Sequence, residues 1–312
     1  MRRLSKAVVR AGMATAIRSA RRLPPSVLET AFAGLGLLQG VVRPSRARRA
    51  YRWASGLEGP GPRRWQLAAT VLANRGRVIA LSGLPAIVSP ETFRRRVTIE
   101  GAEHLTAAAG RGGTILLGLH VLPGVATLAL AAAGHRLVPT GMTGAFKGWT
   151  LAEASWTPLL AGWTRGILWR DERSAAGGLA HLRKLLTQGA TVHLTADGPF
   201  GREAFRIPLP SGVLVVRSGW WTLRRLTGAT TLPVLARREG HRLVVSVHAP
   251  LPDPADDPGE DLLACRAALV PLVAELVRRA PAQCEVLASW PDTAAAAARA
   301  ASATLPSLTA RP

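Results

Sequence analysis

The most constraining feature of this chain is an uncharged run that does not read as one continuous element. Residues 112–125 are GGTILLGLHVLPGV. The apolar stretch Thr114 to Leu119 has the length of a buried strand, ends on His120 and meets a Gly/Pro turn. A second stretch, Gly166 to Gly201, follows the same grammar: GILWRDE, a helical pattern, then ATVHLTADGPFG. Apolar strands that end in polar residues and a turn are how a helix-flanked sheet presents side chains at one edge. The two stretches read as halves of one active site. Gly112 to Gly134 is also long enough to span a bilayer. Its internal Gly118, Pro123 and His120, ahead of an Ala-rich end, favour strand, turn and buried helix instead.

The pattern before this region is helical. Residues 2 to 22 form a basic amphipathic pattern, with Val9, Met13 and Ile17 four apart and Arg3, Lys6, Arg10, Arg18 and Arg21 on another face. Such a helix can lie on an anionic membrane or pack on the domain. Ser26 to Val42 is apolar, with Glu29 its only charge. It is short for a transmembrane span and suits monotopic insertion or a core. Arg43 to Arg52 (RPSRARRAYR) is a basic cluster suited to lipid headgroups. Arg64 to Ser89 reads as one or two helices, broken near Gly83 and Pro85.

From Arg96 onward strands and helices alternate. Strands are expected at VTIEG, 114–119, 136–139, 166–169, 191–195, 230–236 and 242–248. Helices are expected at 102–109, 125–133, 175–188, 213–227 and 261–279. This predicts an α/β fold: a mostly parallel central sheet flanked by helices on both faces, with N-terminal membrane-associated helices. The expected organisation is a basic, membrane-associated helical region over 1–90, an α/β core over 91–292 and a low-complexity tail over 293–312.

Charge narrows the partners. The formal net charge is +21, and residues 1–100 hold 19 basic and 4 acidic residues, a net +15. Such asymmetry suits a polyanionic surface. Nucleic acid is disfavoured: one Tyr and five Phe leave few stacking platforms, and the nine Trp lie mostly away from the Arg runs. An anionic membrane or an acidic carrier protein fits better. Cys265 and Cys284 match no zinc or CxxC spacing and read as free thiols. No cleavable signal peptide is evident in the first 27 residues.

Three polar positions could carry chemistry. His120 follows a strand and precedes a turn, so its ring would reach the sheet edge, where a His can deprotonate a hydroxyl. Arg170 ends a strand and suits phosphate recognition, or pairs with Asp171 or Glu172. Asp197, Gly198, Pro199, Phe200 and Gly201 form a tight turn in which the Asp could orient a base or bind a polar headgroup. Alternation along its strand points His193 away from Asp197. Trp149, Trp156 and Trp163, seven apart, share one helix face. They read either as ordinary core or as an apolar wall for an acyl chain. Nucleophile-elbow, P-loop, dinucleotide and metal-ligand patterns are not found.

The order of these blocks resembles the lysophospholipid acyltransferase superfamily, most closely its bacterial lipid A late acyltransferase branch (lauroyl/myristoyl acyltransferases). The similarity runs over roughly Arg21 to Asp292 and rests on RVTIEGAEHL, GGTILLGLH, GILWR, LRKLLTQGATVHLTADGPFG, GATTLPVLARREGHRLVVSVHAPL and VRRAPAQCEVLASWPD. The resemblance implies transfer of a fatty acyl group from acyl carrier protein or acyl-CoA to a hydroxyl of a lipid or glycolipid. The acceptor would be of lipid A or phosphatidylinositol mannoside type, with no metal or prosthetic group. It implies a peripheral or monotopic location on the cytoplasmic face of the bacterial inner membrane.

His120 matches the family's base. Arg170 matches its phosphate-contacting Arg, Asp197 and Gly198 its acidic-Gly turn, and Pro233 the Pro of its fourth block. Pro199, Gly201, Trp149 and Trp163 complete the expected substrate site. One position departs. The family's acid, after four intervening residues, is replaced by Val125. Either Asp171 or Asp197 then takes over the acid's role from a neighbouring strand, or the chain binds acyl lipid without turnover.

Overall fold

The computed structural model describes residues 22–84, 87–142, 156, 159, 167–169, 172–198 and 201–288. Residues 2–21 of the basic segment, and the tail, lie outside the described residues.

Three helices lead the described chain: α1 (Pro25–Val42), α2 (Pro44–Leu57) and α3 (Pro62–Gly83). Each has Pro in its first turn, where a missing N–H costs nothing. The basic cluster RPSRARRAYR is therefore helical. Helices α1 and α3 cross with backbone against backbone. A Cβ on Gly76 would lie 1.8 Å from the Phe32 carbonyl oxygen, and one on Gly36 would lie 2.3 Å from that of Leu72.

The rest builds the α/β layer. In order come α4 (Pro90–Arg94), β1 (Val97–Glu100), α5 (Ala102–Ala108), β2 (Thr114–Gly118), α6 (Pro123–Ala132), β3 (Val138–Met142) and β4 (Ile167–Trp169). Then follow α7 (Glu172–Thr187), β5 (Thr191–Thr195), β6 (Glu203–Leu209), β7 (Gly212–Arg217), α8 (Gly219–Thr227), β8 (Thr230–Glu239), β9 (Arg242–Val247) and α9 (Pro258–Arg279). A 3-10 helix, Pro281–Ala288, closes the described chain.

The main sheet has the order β1-β9-β8-β2-β5-β3-β4. Strands β8, β2, β5, β3 and β4 run parallel, while β9 is antiparallel to β8 and parallel to β1. All five residues of β2 are buried, so it shows no alternation; strands covered on both faces read as continuous apolar runs. The run 112–134 resolves as strand, turn and helix. Every residue of α6 from Val125 to Ala132 is buried.

One expectation is corrected. Residues 213–227 are not a single helix. Val213 to Arg217 belong to β7, which pairs antiparallel with the unforeseen β6, and only Gly219–Thr227 is helical. The Val-rich run VLVV favours a strand, and the hairpin turn at Pro210 and Ser211 supplies its partner.

The leading helices join the same hydrophobic core as the sheet. Trp53 is buried and donates from Nε1 to the Pro281 carbonyl at 2.8 Å. Glu29 on α1 is 2% exposed and pairs with both Arg96 and Arg238, its Oε2 lying 2.9 Å from Arg238 Nε. Trp156 is fully buried, donates to the Val88 carbonyl at 2.7 Å and meets Phe93 edge-on, so it is core rather than an open acyl wall. Cys265 and Cys284 are free and buried. Burial pushes the Cys265 thiol up to about 11, and that of Cys284 up as well.

Candidate active site

Parallel strands place their C-terminal ends at one edge of the sheet, and β2 and β5 are neighbours there, with Gly118 beside Thr195. The chain leaves β2 through Leu119 and reaches His120. It leaves β5 through Ala196 and reaches Asp197. Two backbone hydrogen bonds hold these exits together. Ala196 N–H donates to the Gly118 carbonyl at 2.8 Å, and Arg217 N–H donates to the Ala196 carbonyl at 2.7 Å.

This juxtaposition brings His120 and Asp197 into contact. His120 Nδ1 lies 3.1 Å from Asp197 Oδ1, and the His120 backbone N–H donates to the same oxygen at 2.9 Å. The Asp197 side chain is 0% exposed and the His120 side chain 28% exposed. A buried carboxylate thus lies beside one ring nitrogen, fixed there by the backbone N–H, while the imidazole stays part-exposed. That is the arrangement of a base and its orienting acid. The segment after β2 reverses through Leu122, a non-Gly residue at φ 53°, and enters α6 at Pro123. Left-handed backbone at such a residue costs of order 1–3 kcal/mol and clusters at functional sites.

The second turn is shaped around the His120 ring. Gly198 has φ 142°, and a Cβ there would lie 3.2 Å from His120 Cε1. Glycine answers both the backbone angle and the close approach. The buried Arg217 clamps this turn, donating from Nε to the Gly198 carbonyl at 2.9 Å. Gly201 is exposed at its far end. Val125, at the position where an acid was expected, is buried in the first turn of α6.

His193 lies closer to this site than its strand alternation implied. It is 3% exposed, and its Nδ1 is 2.8 Å from Thr127 Oγ1. That hydroxyl donates its only proton to the Pro123 carbonyl at 2.9 Å. With the hydroxyl proton on that carbonyl, Nδ1 carries the His193 proton and Nε2 is bare; the other tautomer turns the hydroxyl onto Nδ1. Nε2 faces Gly118, where an added Cβ would come within 2.7 Å, and it has no partner among the described residues. Burial, helped by the field of His120, pushes the His193 pKa down to about 4. The ring is neutral at physiological pH.

His120 and Leu122 open onto a cleft of about 420 Å³. Its other walls come from α1 (Gln39), α2 (Arg46, Arg49), α3 (Val71 to Ile79) and the terminal 3-10 helix (Ala282 to Val286). This volume falls within the range of small-molecule sites. A separate apolar void of about 10 Å³, under Leu117 and Ala196, is too small for a ligand.

Of the sequence-derived site residues, His120, Asp197 and Gly198 come together here, and Gly201 closes the same turn. Arg170, Pro199, Trp149 and Trp163, with Asp171, lie outside the described residues. Sequence reasoning missed Arg217, hidden in a segment read as helix, and the cleft-lining arginines Arg46, Arg49 and Arg75. Among the described residues no cluster of His, Cys, Asp or Glu could hold a metal ion.

A mixed sheet with a His–carboxylate pair at its C-terminal edge, beside a cleft walled by apolar and basic helices, is an arrangement able to move a proton next to a bound substrate. The chain belongs to the bacterial lipid A biosynthesis acyltransferases, whose family model matches residues 2–288. It is accordingly an acyltransferase, of a family that acts in lipid biosynthesis. Comparison with curated proteins returns no match.

Proposed function

We propose that this acyltransferase moves a fatty acyl group from the thioester of acyl carrier protein or coenzyme A to a hydroxyl of a lipid or glycolipid, with His120 as base and Asp197 as its orienting acid. The observation that carries the reading is the buried Asp197 carboxylate 3.1 Å from His120 Nδ1, in a chain that has Val125 where the acid was expected. With Nδ1 facing Asp197, Nε2 is left for the substrate. It takes the acceptor hydroxyl's proton as the oxygen attacks the thioester carbonyl. When the tetrahedral intermediate collapses the C–S bond breaks, and the imidazolium returns the proton to the leaving thiolate. Asp197 stabilises that imidazolium. Gly198, Pro199 and Gly201 shape the acceptor pocket beside the ring. Arg170 binds a phosphate on the substrate, and Trp149 and Trp163 face the acyl chain.

The site works at a membrane surface, peripherally or monotopically, on the cytoplasmic side. Helix α1 read from sequence as short for a span, but at 18 residues it is long and apolar enough to cross a membrane, and only 22% of it is buried. Leu38, Val41 and Val42 are 57%, 79% and 71% exposed. Val78 and Ile79 are exposed on α3 and also line the His120 cleft. Exposed apolar side chains beside basic clusters suit an anionic bilayer.

The test is a lipid-extract comparison by mass spectrometry across a deletion strain, a wild-type complement and a His120→Ala complement. One lipid should gain an acyl group with wild type alone, and the mass difference gives the chain length. Restoration of the same lipid by His120→Ala would remove His120 from the role of base. The chain would then be a non-catalytic acyl-lipid binder.

A further inference from the structure

The described walls of the His120 cleft are electrically lopsided. Arg46, Arg49 and Arg75 line it against a single carboxylate, Glu285. Glu285 is taken up by Arg75, whose Nε and Nη2 reach its two oxygens at 3.1 and 2.6 Å. Among the described residues, no carboxylate pairs with the guanidinium charges of Arg46 and Arg49. Arg46 Nη1 donates to Gln39 Oε1, which fixes one edge of its fork, and Asn74 and Gln283 add neutral amides to the same walls.

Burial and the neighbouring cations Arg43, Arg75 and Arg49 all push the Arg46 pKa down. Crowding like charges is costly unless an anion joins them. One turn of helix brings Arg46 and Arg49 onto one face of α2, so their pairing is built into the backbone. The remaining wall is apolar, through Val71, Val78, Ile79 and Leu122.

We propose that Arg46 and Arg49, with Gln39 and Asn74, form a phosphate-ester subsite on the wall of the His120 cleft. It holds the phosphate of an amphiphile whose apolar part lies along Val78 and Ile79. Guanidinium forks suit a tetrahedral anion with several acceptor oxygens. The subsite rests on the acyl-transfer reading of the cleft. It is separate from the phosphate role given to Arg170.

The phosphate has two possible sources, the pantetheine arm of the acyl donor or a lipid headgroup. The test is isothermal titration of the full chain with 4′-phosphopantetheine and, in a second arm, with dihexanoyl phosphatidylglycerol below its micelle concentration. The variant is Arg46→Gln/Arg49→Gln. The control, Arg48→Gln/Arg52→Gln, removes the same charge from exposed positions of α2 that do not line the cleft. Loss of two charge-assisted contacts should weaken one of the probes about tenfold or more, with the control within about twofold. The probe that weakens identifies the source. The single variant Arg49→Gln, at an exposed position, should weaken the same probe in the same direction and guards against a folding defect in the double variant. Equal loss in variant and control, or no loss with either probe, would overturn the subsite. His120→Ala separates the two readings. It should abolish acyl transfer yet leave the probe's affinity within about twofold, so binding without turnover in wild type would sink the catalytic reading alone.

Discussion

Among the side chains around His120, His193 carries the clearest pH signature. Its folded pKa is pushed down to about 4 from an ordinary 6.5, so between those values the unfolded chain binds a proton that the folded one refuses. Stability is full above about pH 6.5 and is lost as the pH falls towards 4, by about 3 kcal/mol at most. Urea denaturation of wild type and His193→Gln at pH 7.0, 5.5 and 4.5 checks this. The difference between them should narrow as the pH falls. A constant difference would mean that His193 does not titrate this way.

At the same scale, His120 and Asp197 were legible because each ends an apolar strand and begins a Gly/Pro turn. Their contact was not legible, since it depends on β2 and β5 being neighbours. Strand alternation alone points His193 away from the site. Alternation separates the two faces of a sheet, but says nothing of a helix such as α6 that brings Thr127 down onto one of them.

Among the elements, the crossing of α1 and α3 is the most sensitive to substitution. Their backbones touch at Gly36 and Gly76, and the obstructing atoms are carbonyls that cannot swing away. Gly76→Ala should force the helices apart and cost about 1–3 kcal/mol, as overpacking does, despite the better helix propensity of Ala. Chemical denaturation measures it; an unchanged or raised midpoint would show that the crossing relaxes freely. Most elements could be read from periodicity and punctuation. The β6–β7 hairpin could not, because VLVVR runs straight into the helical GWWTLRRLT with one serine between them. Reading it as helix also hid Arg217, whose place at the end of β7 lets it grip the Gly198 turn. Likewise RPSRARRAYR read as a lipid-facing cluster, whereas its fold as α2 turns Arg46 and Arg49 towards the His120 cleft.

For the whole molecule, charge and exposed hydrophobicity meet on the leading helices. Leu38, Val41 and Val42 are exposed on α1, and Val78 and Ile79 are exposed on α3 where they line the same cleft as Arg46 and Arg49. A purely electrostatic attachment dissolves in salt, but one with buried apolar side chains does not. Each fully buried Leu or Val contributes roughly 1.5–3 kcal/mol. Leu38→Asp/Val41→Asp should therefore weaken partition into phosphatidylglycerol vesicles at least about tenfold at 0.5 M salt, in sedimentation assays. Wild-type partition of this variant would mean that these side chains face something other than lipid.

The pairing of His120 with Asp197 is the central claim, and Asp197→Asn tests it most directly. The amide keeps the shape and can still accept from the His120 backbone N–H through Oδ1, so the turn survives while the charge is lost. Steady-state acyl transfer by the purified variant should show kcat lowered by about 10²–10⁴-fold, with KM within a few-fold of wild type and an unchanged denaturation midpoint. A folded Asp197→Asn enzyme that kept more than about half of the wild-type kcat, a barrier change under roughly 0.5 kcal/mol, would contradict it and place the source of His120's activation elsewhere.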